Sequence, residues 1–241
     1  SSLALAWRPA RLNMALGFIG GLVTSSLESV WEFREEELYP SLFGEARTGI
    51  FALEPELFTE VFGLEEYDPR WLHLGVFEFA PTEARNSWLY VTSGGSTPWD
   101  TAPEEFNPEE YSWLGVEFVL ETPRKEEWAV RALQRLLAYH LMAAHGCFGD
   151  NPGVDYGHRV PAGGSVDGKS SILKVLAIVR PDHYPPEQQL ASGKFDFLHV
   201  VGISEKERDY AKANGTEALA SLLSAQGACP VTDANRKLAK L

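Results

Sequence analysis

The chain has 241 residues, of which 44% are hydrophobic and 23% are charged. These fractions are typical of globular proteins and exclude extended disorder, and the length allows a sizeable core. The net charge of −13 disfavours nucleic acid as a partner, because an acidic surface repels phosphates. No apolar run approaches the roughly 20 residues that a membrane span requires.

The first 60 residues are interpreted as an N-terminal helical lead-in packed on a main domain of residues 61–241. Arg8 and Arg11 precede the apolar stretch Leu12–Val23, which we expect to form a packed helix or strand rather than an export signal. Leu27–Leu38 suits a helix with Ser25 or Ser26 as its N-cap, ended by Tyr39-Pro40.

The central elements follow from the apolar patterning. Pro55–Phe62 suits a short helix that begins at a proline and stops at Gly63. Three strands are predicted as an antiparallel trio: Leu72–Phe79, Trp88–Thr92 and Trp113–Glu121. The last of them alternates, which indicates one buried face. Glu126–His145 has the three- and four-residue apolar spacing of an amphipathic helix.

The C-terminal third is predicted to contain two strands and two helices. Phe148–Ser171 and Pro181–Gly193 are assigned to loops, and the strands between and after them are Ile172–Val179 and Phe195–Ile203. Ser204 and Glu207 form a capping-box pattern that opens a helix through about Ala213, and Thr216 caps a helix that runs to Ala225 before Gly227. The prediction is an α+β fold with a mostly antiparallel or mixed sheet flanked by helices.

Two ordered groups of motifs resemble the suppressor-of-fused (SUFU) domain family, in its bacterial single-domain form. The central group is Thr92-Ser93-Gly94-Gly95-Ser96 followed by Gly115-Val116-Glu117-Phe118. The C-terminal group comprises Val201-Gly202-Ile203, Glu205, Glu207, Gly215, Leu219, Leu222-Leu223, Val231-Thr232-Asp233 and Arg236. The resemblance spans about Leu72 to Leu238.

The resemblance implies a non-enzymatic, cytoplasmic module that binds another protein. The animal member sequesters a transcription factor by clamping a peptide between this domain and a second one, and neither that clamp nor its binding residues can be carried over to this chain. Stand-alone bacterial members resemble interaction modules, many of them thought to be immunity proteins that neutralise a toxin. The expected partner is therefore a cognate toxin or another basic protein, with no cofactor.

The acidic loop, residues 100–110, is the candidate contact region. Glutamates beside aromatic side chains make interface anchors with electrostatic steering. The predicted contact residues are Trp99, Glu104, Glu105, Phe106 and Glu109. The alternative is a solvated loop whose aromatic side chains are packed into the core.

A phosphate-binding loop is the competing interpretation. Residues 163–170 match GxxxxGK[ST], with Lys169 and Ser170 as the binding residues of a nucleotide-binding regulator or enzyme. That chemistry needs a helix after the loop, so that amide groups and the helix N-terminus face the phosphates. The segment that follows, Ile172–Val179, is β-prone, which favours a plain Gly-rich loop before a strand.

The remaining chemistry-bearing residues give weaker indications. A third interpretation is a small-ligand or metal site formed by the sequence cluster His145, Cys147, Asp150, Asp155 and His158, although no fixed ligand spacing is present. Ser93 lacks the G-x-S-x-G context of a nucleophile, and its neighbouring glycines indicate a turn. His73 and His199 are expected in strands as hydrogen-bonded structural histidines. Cys147 and Cys229 are expected to be free thiols in a reducing compartment.

Overall fold

The computed structural model describes residues 26–150 and 153–241, so the prediction for Leu12–Val23 lies outside the described residues. The helices are α1 (Leu27–Glu32), α2 (Tyr39–Phe43), α3 (Glu127–Ala144), α4 (Glu205–Asn214) and α5 (Thr216–Ala225). The strands are β1 (Phe51–Ala52), β2 (Gly75–Phe79), β3 (Trp88–Ser93), β4 (Tyr111–Thr122), β5 (Arg159–Pro161), β6 (Leu173–Val179), β7 (Glu187–Leu190) and β8 (Gly193–Ser204).

The eight strands form one mixed sheet in the order β1-β2-β3-β4-β8-β6-β5, with β7 paired to β8. Among the described residues, the central β4–β8 pair of strands is parallel and the other strand pairs are antiparallel. This arrangement confirms the predicted α+β class and the antiparallel trio β2-β3-β4. Because β4 and β8 are distant in sequence, the centre of the sheet joins the two halves of the chain.

Both faces of the sheet are covered, which corrects the prediction of a single buried face for the third strand. Phe118 and Leu120 pack beneath α3, whereas Val119 packs against the N-terminal helices on the opposite side. The alternation in the sequence arises because Glu117 and Glu121 on the second face are also buried, although they are charged. The helices α4 and α5 cover the remainder of that face, over β6 and β8.

The N-terminal helical region continues past its predicted end. Ser26 is confirmed as the N-cap, since its side chain accepts a hydrogen bond from the backbone of Ser29. A π-helical segment, Phe33–Leu38, joins α1 to α2 without a break. Pro40 is the second residue of α2 and the helical structure continues past it to Phe43, so the prediction that Tyr39-Pro40 ends the helix was wrong.

Other helices and strands also differ from the sequence prediction. The Pro55–Phe62 helix is a five-residue π-helical segment, Leu57–Val61, and β2 begins three residues later than predicted because a 3-10 turn, Pro69–His73, precedes it. The short strands β5 and β7 lie inside predicted loops. Thr216 is the first residue of α5 rather than its cap, which is Gly215.

The part of the chain that the structure describes contains no helix long and apolar enough to cross a membrane.

Candidate functional site

A fully buried carboxylate organises the turn between β3 and the acidic loop. Glu117 Oε1 accepts hydrogen bonds from the backbone of Gly94 at 3.0 Å and of Ser96 at 2.9 Å, and from Ser96 Oγ at 2.7 Å. Its other oxygen accepts from Thr92 Oγ1 at 2.6 Å. Four donors therefore satisfy the carboxylate, as a buried charge requires. The two halves of the central motif are one structural unit.

A buried cation from the N-terminal helices completes this unit. The Arg34 guanidinium donates to Ser93 Oγ at 2.6 Å and to Ser96 Oγ at 2.9 Å, and it lies 3.6 Å from Glu117 Oε1. Burial opposes its charge, but the field of the Glu117 carboxylate raises the pKa of Arg34 above that of a free arginine. Arg34 therefore stays charged and ties the π-helical segment to the turn.

The same geometry decides the role of Ser93 and its neighbouring glycines. The buried Ser93 hydroxyl accepts a hydrogen bond from Arg34 and donates one to Glu35. It therefore belongs to the hydrogen-bond network around Glu117 and is not presented to a substrate. Gly94 has φ 135°, and a Cβ there would come within 2.1 Å of Leu74. A Cβ on Gly95 would lie 2.2 Å from the Val116 carbonyl oxygen. The predicted turn is confirmed.

The acidic loop starts where this turn ends, and aromatic side chains anchor it. Trp99 makes an edge contact with Trp31, with ring centroids 5.2 Å apart, and packs against the core beneath α3. Phe106 packs against the core on the other face of the sheet. Arg70 binds Asp100 at 2.7 Å and contacts the Trp99 ring. Both predicted aromatic residues are thus partly buried.

Hydrogen bonds fix the remainder of the loop. A 3-10 turn spans Pro103–Glu105, and Asn107 bonds the Glu109 backbone and the Glu110 side chain. Gln189 donates to the Pro108 carbonyl at 3.1 Å, which attaches the loop to β7. The loop is therefore held in one shape by contacts that leave most of its carboxylates outside.

Four glutamates of the loop are exposed: Glu104, Glu105, Glu109 and Glu110. A fifth exposed residue, Tyr111, was not among the predicted contact residues; it begins β4 and is 52% exposed. The Tyr111 hydroxyl donates to Asp196 at 3.0 Å, and this hydrogen bond raises the pKa of the tyrosine. Its position directly after the last glutamate was the available signal. Three of the predicted contact residues, Glu104, Glu105 and Glu109, are thus exposed in the structure, and so is Tyr111.

The Gly-rich loop does not have the geometry of a phosphate-binding loop. The strand β6 follows it, where a phosphate site needs a helix. The backbone N–H groups that a phosphate would need are also taken up within the loop: Asp167 Oδ1 accepts from Lys169 N at 2.9 Å and from Ser171 N at 3.1 Å. Residues 163–170 are therefore an internally bonded turn that leads into a strand.

The histidines and cysteines have individual environments. Within residues 26–150 and 153–241, no three His, Cys, Asp or Glu side chains come together in a way that could hold a metal, including those of the 145–158 cluster. His199 is confirmed as a structural histidine in β8, bonded to Tyr184 at 3.0 Å and to the Pro230 carbonyl at 3.1 Å. The strand assignment of His73 was wrong, since it ends the 3-10 turn and is exposed. Cys147 and Cys229 are free.

Two solved structures with TM-scores above 0.5 support the fold, and a third is also similar to this chain. A crystal structure of the Sufu–Fu complex matches with a TM-score of 0.61 and 19% identity, over 90% of this chain and 92% of the other. Drosophila Suppressor of Fused matches with a TM-score of 0.52 and 19% identity, over 69% of this chain and 42% of the other. A SUFU homologue from Neisseria gonorrhoeae gives a TM-score of 0.49 at 20% identity, over 70% and 79% of the two chains.

Sequence comparison identifies the family. A search of curated proteins found no significant relative. The family model described as suppressor of fused protein (SUFU) matches residues 70–237, a range that contains both the Glu117 turn and the Glu207–Arg236 pair near the C-terminus. The matched range covers well over half of the sequence, and the chain therefore belongs to the suppressor of fused family.

Proposed function

We propose that this protein is a non-enzymatic protein-binding module whose acidic loop receives a basic partner. The observation that carries the proposal is the loop itself: the partly buried rings of Trp99 and Phe106 and a hydrogen bond to β7 fix its shape, while its glutamates stay exposed. A preorganised surface loses little conformational entropy on binding. The Sufu protein of the Sufu–Fu complex is itself bound to a partner, which gives this use of the fold a precedent.

The proposed contact surface consists of these glutamates, the exposed parts of Trp99 and Phe106, and Tyr111. Closely spaced carboxylates accelerate encounter with a basic protein, and aromatic rings supply the contact area that holds it. A toxin neutralised by this protein in the cytoplasm is the leading specific case, since a chain of net charge −13 complements a cationic enzyme. Free thiols at Cys147 and Cys229 agree with a reducing compartment.

Capture from native lysate, with the tagged full-length protein as bait and mass spectrometry as readout, tests the proposal first. The matched variants are Glu104→Lys/Glu105→Lys and Glu65→Lys/Glu66→Lys, because each changes two adjacent exposed glutamates and shifts the net charge equally. We expect one near-stoichiometric basic partner with the parent and the control, and its loss with the loop variant.

Association kinetics then separate steering from contact. Reversing Glu104 and Glu105 should lower the association rate about tenfold or more at low salt, and it should flatten the dependence of that rate on salt. The Glu65→Lys/Glu66→Lys protein should behave like the parent. Equal loss in both variants would reduce the effect to net charge and reject the loop as the site.

A further inference from the structure

A cavity of about 540 Å³ lies between α3 and the segment that carries β5, on the sheet edge remote from β1. Its size is within the roughly 300–1,000 Å³ of small-molecule pockets in proteins. Leu136, Val154 and Val166 provide buried apolar surface in its lining, and the Gly-rich loop contributes one wall. The acidic loop contributes no lining residue, so the cavity and the proposed partner surface are separate features.

The charge of the lining is opposite to that of the protein. The chain has 34 Asp and Glu, yet the cavity lining, which belongs entirely to the described part of the chain, includes none of them. It does include three arginines, Arg131, Arg135 and Arg159. Such a segregation of positive charge around an apolar interior matches a ligand that has an anionic group and an apolar body.

The arginines differ in how free they are to bind. Arg159 is occupied by the Gly157 carbonyl at 2.8 Å and the Thr216 hydroxyl at 2.6 Å. Arg131 makes an exposed ion pair with Glu127 at 3.4 Å, and such solvent-exposed pairs contribute little free energy. Arg135 is exposed and has no ion pair with any residue that the structure describes. It is therefore the cation best placed to receive an anion.

A second unpartnered donor belongs to a residue that lines the same cavity. Trp128 lines it and is only 4% exposed, and its indole N–H has no acceptor within residues 26–150 and 153–241. Buried donors normally have a partner. A carboxylate or carbonyl oxygen of a bound molecule is the kind of acceptor that this side chain lacks.

We propose that the cavity binds a small organic carboxylate with an apolar, ring-sized body, with Arg135 as the principal counter-ion and Arg131 as the second. A bound peptide strand fits less well. His158 and Ala162 direct their backbone groups towards β6, so the alternate residues, Arg159 and Pro161, face the open edge of β5. Pro161 has no N–H, which leaves the edge poorly suited to strand addition.

The test uses two probes of nearly equal shape, 2-naphthoate and its neutral analogue 2-naphthamide. Each is titrated into ¹⁵N-labelled full-length protein at constant ionic strength, and amide chemical shifts report both location and affinity. We expect saturable shifts for 2-naphthoate centred on Val154, Val160 and Val166, with an affinity at least tenfold above that of 2-naphthamide.

Charge variants identify the cation. Arg135→Gln should weaken 2-naphthoate about tenfold and leave 2-naphthamide unchanged, and Arg131→Gln should have a smaller effect of the same kind. Lys212→Gln, which removes one exposed positive charge from α4 on the opposite face of the sheet, should change neither probe. Equal affinity for the two probes, shifts centred elsewhere, no saturable binding of 2-naphthoate, or an equal loss with Lys212→Gln would each overturn the proposal.

Discussion

The turn around Glu117 and the acidic loop that follows it use carboxylates in opposite ways. Glu117 is 0% exposed, accepts hydrogen bonds from four donors and lies beside the buried Arg34. Glu104 and Glu109 belong to the connection between the same two strands, and they are exposed, without a side-chain partner among the described residues. One region uses the charge to hold the chain together, and the other presents the charge to solvent.

The supply of hydrogen-bond donors, more than the residue type, decides the role of a glutamate in this part of the molecule. A buried carboxylate is tolerated only where hydrogen bonds and a cation replace its water. The turn at residues 92–96 supplies two backbone N–H groups and two hydroxyls, whereas the acidic loop uses its own polar groups to fix its shape. The structural charges are thus neutralised internally, and the exposed ones remain available to a partner.

Among the variants considered, Arg34→Met is expected to lower the free energy of unfolding most. The substitution keeps much of the side-chain volume but leaves Glu117 buried without its cation, and breaking a buried pair in this way costs about 3–5 kcal/mol. Urea denaturation should show that loss in the free energy of unfolding. The exposed Arg131→Met is the control and should change stability by less than about 0.5 kcal/mol. If Arg34→Met also changes stability by less than about 0.5 kcal/mol, the four hydrogen-bond donors alone are enough to stabilise the buried Glu117 carboxylate.

His140 is a buried titratable side chain that stays neutral, in contrast to the buried Glu117. His140 is 6% exposed, its Nδ1 accepts from the Val154 backbone at 2.8 Å, and burial lowers its pKa to about 4. The unfolded chain takes up the proton near pH 6.5 and the native chain only near pH 4, so the unfolded state binds more protons between these values. The free energy of unfolding should therefore fall by about 3 kcal/mol as the pH drops through this window.

Denaturant titrations at several pH values measure this dependence. His140→Phe should weaken the slope between pH 6.5 and 4, whatever its effect on stability at neutral pH. An unchanged slope in His140→Phe would show that other groups, such as the buried His199, carry the acid sensitivity.

The sequence predicted those parts of the fold whose signal is local. The long amphipathic pattern of α3 and the aromatic, β-branched runs of β3 and β4 need no distant information. The strands β5 and β7 were missed because they have three and four residues and contain Pro161 or polar side chains. Both strands form because their backbones pair with β6 and β8, and this tertiary pairing outweighs their low intrinsic strand propensity.

In the candidate site, too, only the features with a local signal could be predicted. The exposed glutamates follow from composition, and the turn follows from Gly94-Gly95. The Arg34–Glu117 pair could not be predicted, because 82 positions lie between the two residues and only the folded sheet brings them together. Whether Trp99 and Phe106 point outward or inward likewise depends on which cores lie beneath them.

The glycine turn permits a finer test of how tightly the buried region is packed. Gly94 and Gly164 have φ values of 135° and 153°, so alanine is strained at both, but only at Gly94 would the Cβ meet a neighbour, Leu74. Gly94→Ala should therefore destabilise the protein by about 1–3 kcal/mol more than Gly164→Ala, since overpacking adds to the shared backbone cost. Thermal or urea unfolding of the two variants measures the difference. Equal values would show that the turn can move away from Leu74.

The exposed glutamates of the acidic loop are expected to contribute least to stability. Glu104→Lys and Glu109→Lys should each change the free energy of unfolding by less than about 0.5 kcal/mol, because neither side chain has a partner among the described residues. Urea denaturation of these variants, run beside Arg34→Met, measures the contrast. A loss above about 1 kcal/mol would give the acidic loop a structural role, and weaker partner capture by its variants could then reflect unfolding. Unchanged stability makes such a loss of capture a property of the surface charge, because the fold around Glu117 would still be intact.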